Sequence, residues 1–233
     1  MALHIPADRH LKIGILLFPD LDQLDLTGPF EVLSRVPNST VHLVWKDRAP
    51  VTDMRGLSIL PTTTLVECPS LDVVVVPGGF GLNAMMEDAE VLAFLRCHAE
   101  RALYTASVCS GALVLGAAGL LKGRKATTHW GSFALLQKLG AQPVDARVVV
   151  DGNLVTCAGV TSGIDGALRL CALLRGDEAA QQIQLYMQYA PEPPFNAGSL
   201  ETAPASVRAA MQELMAKPTA ERHAIIARIA SSL

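Results

Sequence analysis

Tyr104-Thr105-Ala106-Ser107-Val108-Cys109-Ser110-Gly111-Ala112-Leu113-Val114-Leu115-Gly116 is the stretch from which the fold can be read. Tyr104 to Val108 is uncharged and rich in small or β-branched residues, the pattern of a short buried strand. Gly111 to Ala118 reads as a helix with a stripe of small residues. Cys109 is the join between them. A strand that enters a helix through one nucleophilic side chain, with Ser107 and Gly111 flanking it, follows the logic of a nucleophile elbow. The small neighbours are needed because a nucleophile at such a join occupies a strained backbone position. The helix behind Cys109 aims its amides and positive dipole end at the sulfur, so the thiol is expected to ionise below the ordinary ~8.5. The competing role for Cys109 is that of a small buried hydrophobe, and this stretch alone weighs the two evenly.

Outward from the elbow, other apolar runs alternate with helical patterns. Leu11 to Phe18 is a continuous apolar strand, followed by a turn through Pro19 and Leu24. Thr27-Gly28-Pro29 then opens a helix, with Thr27 as N-cap and the proline in the first turn. Asp25 accordingly falls just past the carboxyl end of the first strand, where open α/β sheets bind their ligands. Val41 to Lys46 and Asp72 to Pro77 are further strands. The second of these runs into Gly78-Gly79, whose freedom at positive φ can turn backbone N–H groups into a pocket.

Val51 to Leu60, with Arg55-Gly56 at its centre, reads as a β-hairpin at the sheet edge. Asp151-Gly152-Asn153 marks a second hairpin. Helices are expected over Asp88–Leu103, Gly131–Leu139 (stopped by Gly140), Ile164–Leu174 and Gln181–Tyr189. Ala203-Pro204 starts a terminal helix interrupted at Pro218. The small-residue loop Ala158 to Gly163, with Val160 in it, is a fourth contributor to the rim on which Asp25, Gly78-Gly79 and Cys109 converge. This order implies an α/β fold: a doubly wound, mostly parallel sheet flanked by helices, with an edge β-hairpin. The chain is read as one domain over 1–233, with a core of about 11–190 and a C-terminal helical extension of about 199–233.

The totals narrow the function. Half of the 233 residues are hydrophobic and 18% are charged, so a large core can form. The net charge of −3 comes with no basic block, which argues against a nucleic-acid surface. No apolar run approaches about 18 residues, so no membrane partner is expected. Met1 to Leu11 lacks the apolar stretch of a secretory signal. Five cysteines without CxxC spacing fit neither a zinc site nor a disulfide framework, and point to a reducing cytoplasm. No metal or cofactor is expected.

The motifs Phe18-Pro19…Asp25-Leu26-Thr27-Gly28-Pro29, Pro77-Gly78-Gly79, Ser107-Val108-Cys109-Ser110-Gly111 and Ala126-Thr127-Thr128-His129-Trp130, with Tyr189-Ala190-Pro191-Glu192-Pro193-Pro194-Phe195-Asn196-Ala197-Gly198 after them, resemble the DJ-1/PfpI superfamily. Within it the likeness, from about Leu11 to past Pro204, runs to the bacterial isocyanide hydratases. Three departures narrow the choice among its branches. PfpI-type peptidases follow the nucleophilic cysteine with His, where this chain has Ser110. Glutamine amidotransferases need a distant His with an acidic partner, and neither His129 nor His223 sits in such a pair. The DJ-1 branch faces its cysteine with Glu, where this chain offers the shorter Asp25. The likeness extends to sensing domains of AraC-type regulators, but the mixed-charge stretch after Pro204 is too short for their DNA-binding module.

What the resemblance implies is a hydratase acting on a small-molecule isocyanide, with Cys109 as nucleophile and Asp25 as general acid and base. Gly78, Gly79, Ser110, Val160 and His129 would bind substrate or developing negative charge. For His129 a structural or pocket-lining role is favoured over that of a base, and Cys157 is expected in the core near the site. The Met211, Leu214 and Met215 stripe would pack, as such helices in this superfamily often do, at a homodimer interface. The other reading is a DJ-1-like redox-responsive or carbonyl-scavenging protein.

Overall fold

The computed structural model describes residues 5–229; the ends of the expected domain, 1–4 and 230–233, lie outside the described residues. In chain order the strands are β1 (Leu11–Leu16), β2 (Ser39–Trp45), β3 (Val51–Thr52), β4 (Ser58–Ile59), β5 (Thr63–Thr64), β6 (Val73–Val76), β7 (Tyr104–Ser107), β8 (Lys125–Ala126), β9 (Gln142–Pro143), β10 (Val148–Asp151) and β11 (Leu154–Cys157). The helices are α1 (Gln23–Leu33), α2 (Leu82–Met85), α3 (Ala89–Ala99), α4 (Gly111–Ala117), α5 (Ser162–Arg175), α6 (Asp177–Tyr186) and α7 (Ala205–Ile229).

Seven strands form the main sheet in the order β10-β11-β7-β6-β1-β2-β5. Every pairing is parallel except β10 with β11 at the edge. Strands covered on both faces must be apolar throughout. β6 shows this most plainly, being Val-Val-Val-Val with every residue buried, each side chain contributing roughly 1.5–3 kcal/mol. From β1 the chain winds outward through β2 to β5, and from β6 in the opposite direction through β7 to β11. Right-handed crossovers place the connecting helices of the two halves on opposite faces. α1 packs on α5, and α3 packs on α4. The winding reverses between β1 and β6, and a crevice at such a reversal is where an open sheet binds its ligand.

The structure shifts several expected elements. α1 starts at Gln23, earlier than expected, with Asp22 as its N-cap: the Asp22 carboxylate accepts from Leu24 N–H at 3.2 Å. Thr27 is therefore inside the helix, and so is Pro29, which has no N–H to give the Asp25 carbonyl. The Val51–Leu60 hairpin forms around Gly56 at φ +99°, but as a separate two-stranded ribbon. It docks on the loop after β1, where Thr52 and Leu21 carbonyls accept from Asp20 and Met54 N–H. The antiparallel edge of the main sheet is instead the hairpin turning at Gly152, φ +58°.

Trp130–Leu135 and Gln137–Leu139 are 3₁₀ turns where an α-helix was expected. The Gly131 carbonyl, which an α-helix would commit internally, accepts from Thr219 Oγ1 of α7. α7 runs through Pro218 without interruption. The bond lost there falls on Leu214, which is 64% exposed, while Arg222, Ile225 and Ile226 anchor the following turns in the interior.

Candidate active site

Cys109 has φ +55°, the left-handed region that a non-glycine residue enters only under constraint. The constraints are visible. Its carbonyl accepts from Thr128 Oγ1 at 2.7 Å and from His129 N–H at 3.3 Å. Behind it the chain turns so tightly that a Cβ on Gly111 would lie 2.1 Å from the Val76 carbonyl oxygen. The elbow is thus clamped from the Thr-His segment on one side and from the end of β6 on the other.

Asp25 is fully buried, and its Oδ2 accepts from Gly78 N–H at 2.8 Å. Because Asp22 caps α1, the Asp25 carboxyl is free to turn inward. Close packing brings it there: a Cβ on Gly28 would meet Ile164 at 3.1 Å, and one on Gly163 would meet Val108 at 3.0 Å. Burial raises the Asp25 pKa to about 7, and the negative charge of Asp22 adds to the rise. The Gly78 N–H and, least, the Cys109 thiol oppose it. Asp25 Oδ1 has no hydrogen-bond partner in the geometry among the described residues.

Cys109 is 7% exposed. Burial and then the Asp25 charge push its thiol well above the ordinary range, while the Ser110 N–H and hydroxyl pull it down. The expectation of a lowered thiol is therefore corrected: the Ser110 donors act on the sulfur, but burial outweighs them. Thiolate and carboxylate disfavour each other, so the pair resists carrying both charges at once.

The remaining expected residues fall into two groups. Gly78, Gly79 and Ser110 do meet at the elbow. A Cβ on Gly78 would sit 2.7 Å from Ser110 N and Oγ and 2.9 Å from Asp25 Oδ2, which leaves no room for a side chain. Gly79 alone of the two glycines has positive φ, +126°, and its N–H donates to Ser110 Oγ at 3.4 Å. His129 touches the elbow through its backbone. Its Nδ1 accepts from Gly131 N–H at 3.2 Å. Burial, with the charge of Arg222, lowers its pKa to about 4, so the ring is neutral and poorly suited to act as a base at neutral pH. Val160 is half-buried in the turn that opens α5 and is joined to the site through neighbours, Gly159 lying beside His129. Two open grooves of the surface, about 340 and 230 Å³, surround Asn83 and Glu221 and are lined by neither Cys109 nor Asp25.

Two residues at the elbow went unnoticed in the sequence. Thr128 stood inside a quoted motif without a role. Arg222 of α7, 2% exposed, donates to Gly79, Ser132 and Asn83. Its signal was an arginine within the apolar stripe that Ile225 and Ile226 continue.

Residues 11–173 match the DJ-1/PfpI family. The chain belongs to the DJ-1/PfpI family. An isonitrile hydratase of Pseudomonas putida is 57% identical over 84% of this chain and 86% of its own. Among solved structures, a ThiJ/PfpI family protein from Pseudomonas syringae superposes with a TM-score of 0.91 at 46% identity, covering 94% of this chain and 91% of that one. Drosophila melanogaster DJ-1β gives 0.72 at 28% identity, over 78% of this chain and 100% of its own. DJ-1β is covered along its whole length, and about a fifth of this chain has no counterpart in it.

Proposed function

We propose that this protein is an isocyanide hydratase that converts R–N≡C and water into R–NH–CHO. The observation that carries the reading is the pairing of an elbow cysteine with a buried aspartate that holds its proton near neutral pH, in a chain 57% identical to an isonitrile hydratase. The reactive form carries the proton on Asp25 and the charge on sulfur, the less populated arrangement because burial favours the neutral thiol. The thiolate adds to the terminal carbon while Asp25 gives that carbon its proton, which leaves a Cys109 thioimidate and a carboxylate. Water then adds to the thioimidate carbon. One water proton goes to nitrogen and the other to Asp25, the C–S bond breaks, and sulfur leaves with its electron pair. Formamide, thiolate and carboxylic acid are restored. Ser110 supports the sulfur charge through its N–H and hydroxyl, and Gly78 keeps Oδ2 in place.

The proposed working form is a cytoplasmic homodimer. Val207, Met211 and Leu214 of α7, each at least 40% exposed, support an apolar contact between copies. The test of the function is formamide formation from an aryl or alkyl isocyanide, with mass measurement of a trapped Cys109 adduct. Turnover with an adduct on Cys109 is expected. Absence of formamide, with Cys109 still reactive to peroxide, would favour the DJ-1-like reading.

A further inference from the structure

Arg222 lies outside the residues that match the family, yet its side chain ends at the elbow. Burying a cation is unfavourable unless hydrogen bonds and an opposite charge compensate. Its ligands here are neutral oxygens: Nε donates to Asn83 Oδ1 at 3.3 Å, Nη1 to Ser132 Oγ at 2.8 Å and Nη2 to the Gly79 carbonyl at 3.2 Å. Two of these ligands, Gly79 and Ser132, belong to a frame around the elbow. Gly79 gives its N–H to Ser110 Oγ and its carbonyl to Arg222, so the arginine holds the outer side of the turn whose inner side meets Ser110 and Asp25. Ser132 N–H donates to the carbonyl of His129, and His129 N–H donates to the carbonyl of Cys109.

We propose that Arg222 is a positioning residue for the chemistry at Cys109: it fixes the Gly78–Gly79 turn, and its charge favours the anionic form of the buried sulfur. The proposal rests on the reading of Cys109 as the nucleophile. Hydrogen bonding by a fork of fixed geometry accounts for the first role. The second follows from the charges in reach. Burial lowers the Arg222 pKa, and the Cys109 charge is the larger of the two influences that raise it, ahead of Glu221. Coulombic attraction is mutual, so the guanidinium stabilises the thiolate that burial and Asp25 oppose.

The experiment measures the rate of Cys109 alkylation by iodoacetamide against pH, followed at the Cys109 peptide by mass spectrometry. It compares wild type with Arg222→Met, Arg222→Gln and Arg222→Lys, each checked by thermal melting. The midpoint is expected to rise by about one pH unit in Met and Gln, the low end of the effect of a nearby opposite charge. In Lys, which keeps the charge, it should return close to wild type. Isocyanide turnover should fall in kcat more than in KM for all three, least for Lys. Should Met fail to fold, Gln keeps donors without the charge and answers the same question. A folded Met or Gln variant with the wild-type alkylation profile would overturn the proposal, as would a Lys variant shifted as far as they are. The alkylation readout uses no isocyanide, so failure of the hydratase reading would show separately, as wild type that alkylates normally and forms no formamide.

Discussion

β7 and β11 are parallel neighbours, and each hands its chain to a helix at a buried cysteine, Cys109 beyond β7 and Cys157 at the end of β11. Burial and position in the fold are nearly the same, but the surroundings of the two sulfurs differ. Cys109 is held at φ +55° among the Ser110 donors and the Asp25 carboxyl. Cys157 is an ordinary strand residue whose Sγ lies 2.1 Å from where a Cβ on Gly166 would be. Burial, with the charges of Asp165 and Asp25, pushes its thiol to about 12, and Arg147 offsets little of that rise. A buried thiol becomes chemistry through donors and a proton partner, and without them it is packing.

The largest expected contrast comes from removing each sulfur. Cys109→Ala should abolish formamide formation and leave a cooperative melt, whereas Cys157→Ala should stay within a few-fold of wild type. Equal losses from both would erase the distinction. Next comes the proton partner. Asp25→Asn keeps the shape but can neither deliver a proton to carbon nor take one from water, so turnover should drop by at least about 10²-fold. Asp25→Glu should also impair turnover, because the added methylene crowds the water's place. Preserved turnover in Asp25→Asn would sink the proposed mechanism.

The same carboxyl makes a stability prediction. Its folded pKa, about 7, lies above the 3.8 of an unperturbed aspartate. The folded state therefore favours the protonated acid. The associated stability is fully present below about pH 4 and is lost as pH rises through about 7. Asp25→Asn removes that dependence, so the variant should melt higher than wild type at pH 8, by an amount on the order of a few kcal/mol, and should match it near pH 4. Melting curves at the two pH values decide this, and a pH-independent difference would contradict the assigned origin.

Much of this was legible in the sequence, for identifiable reasons. Uncharged runs such as Val73–Val76 can be covered only on both faces, which gives the parallel sheet, and the small residues around Cys109 announce the elbow. Asp25 could be placed at a strand end, but its inward turn depended on Asp22 taking the cap, and either aspartate could have done so. Proline misled at positions 29 and 218, because whether a helix survives a proline depends on what its other residues bury. Arg222 was hidden for a related reason: nothing local shows that a cation far along the chain ends beside Gly79.

The smallest effect tests the quiet half of the comparison. Gly166 lies in α5, where alanine would be favoured over glycine by up to about 1 kcal/mol. At this position the new methyl would press on Cys157 Sγ, an atom with one rotatable bond beneath it and no open space, and overpacking of this kind costs about 1–3 kcal/mol. Gly166→Ala should therefore melt below wild type. Cys157→Ala removes the sulfur and leaves a Cβ that sits 3.6 Å from the new methyl, an ordinary contact. The double variant should then recover stability, so that the two changes couple favourably. Turnover should stay within a few-fold of wild type throughout, since neither residue meets the Cys109–Asp25 pair. Additive losses in the double variant would show that Gly166 is required by something other than the sulfur. A collapse of turnover with an intact melt would move Cys157 into the site and end the contrast between the two thiols.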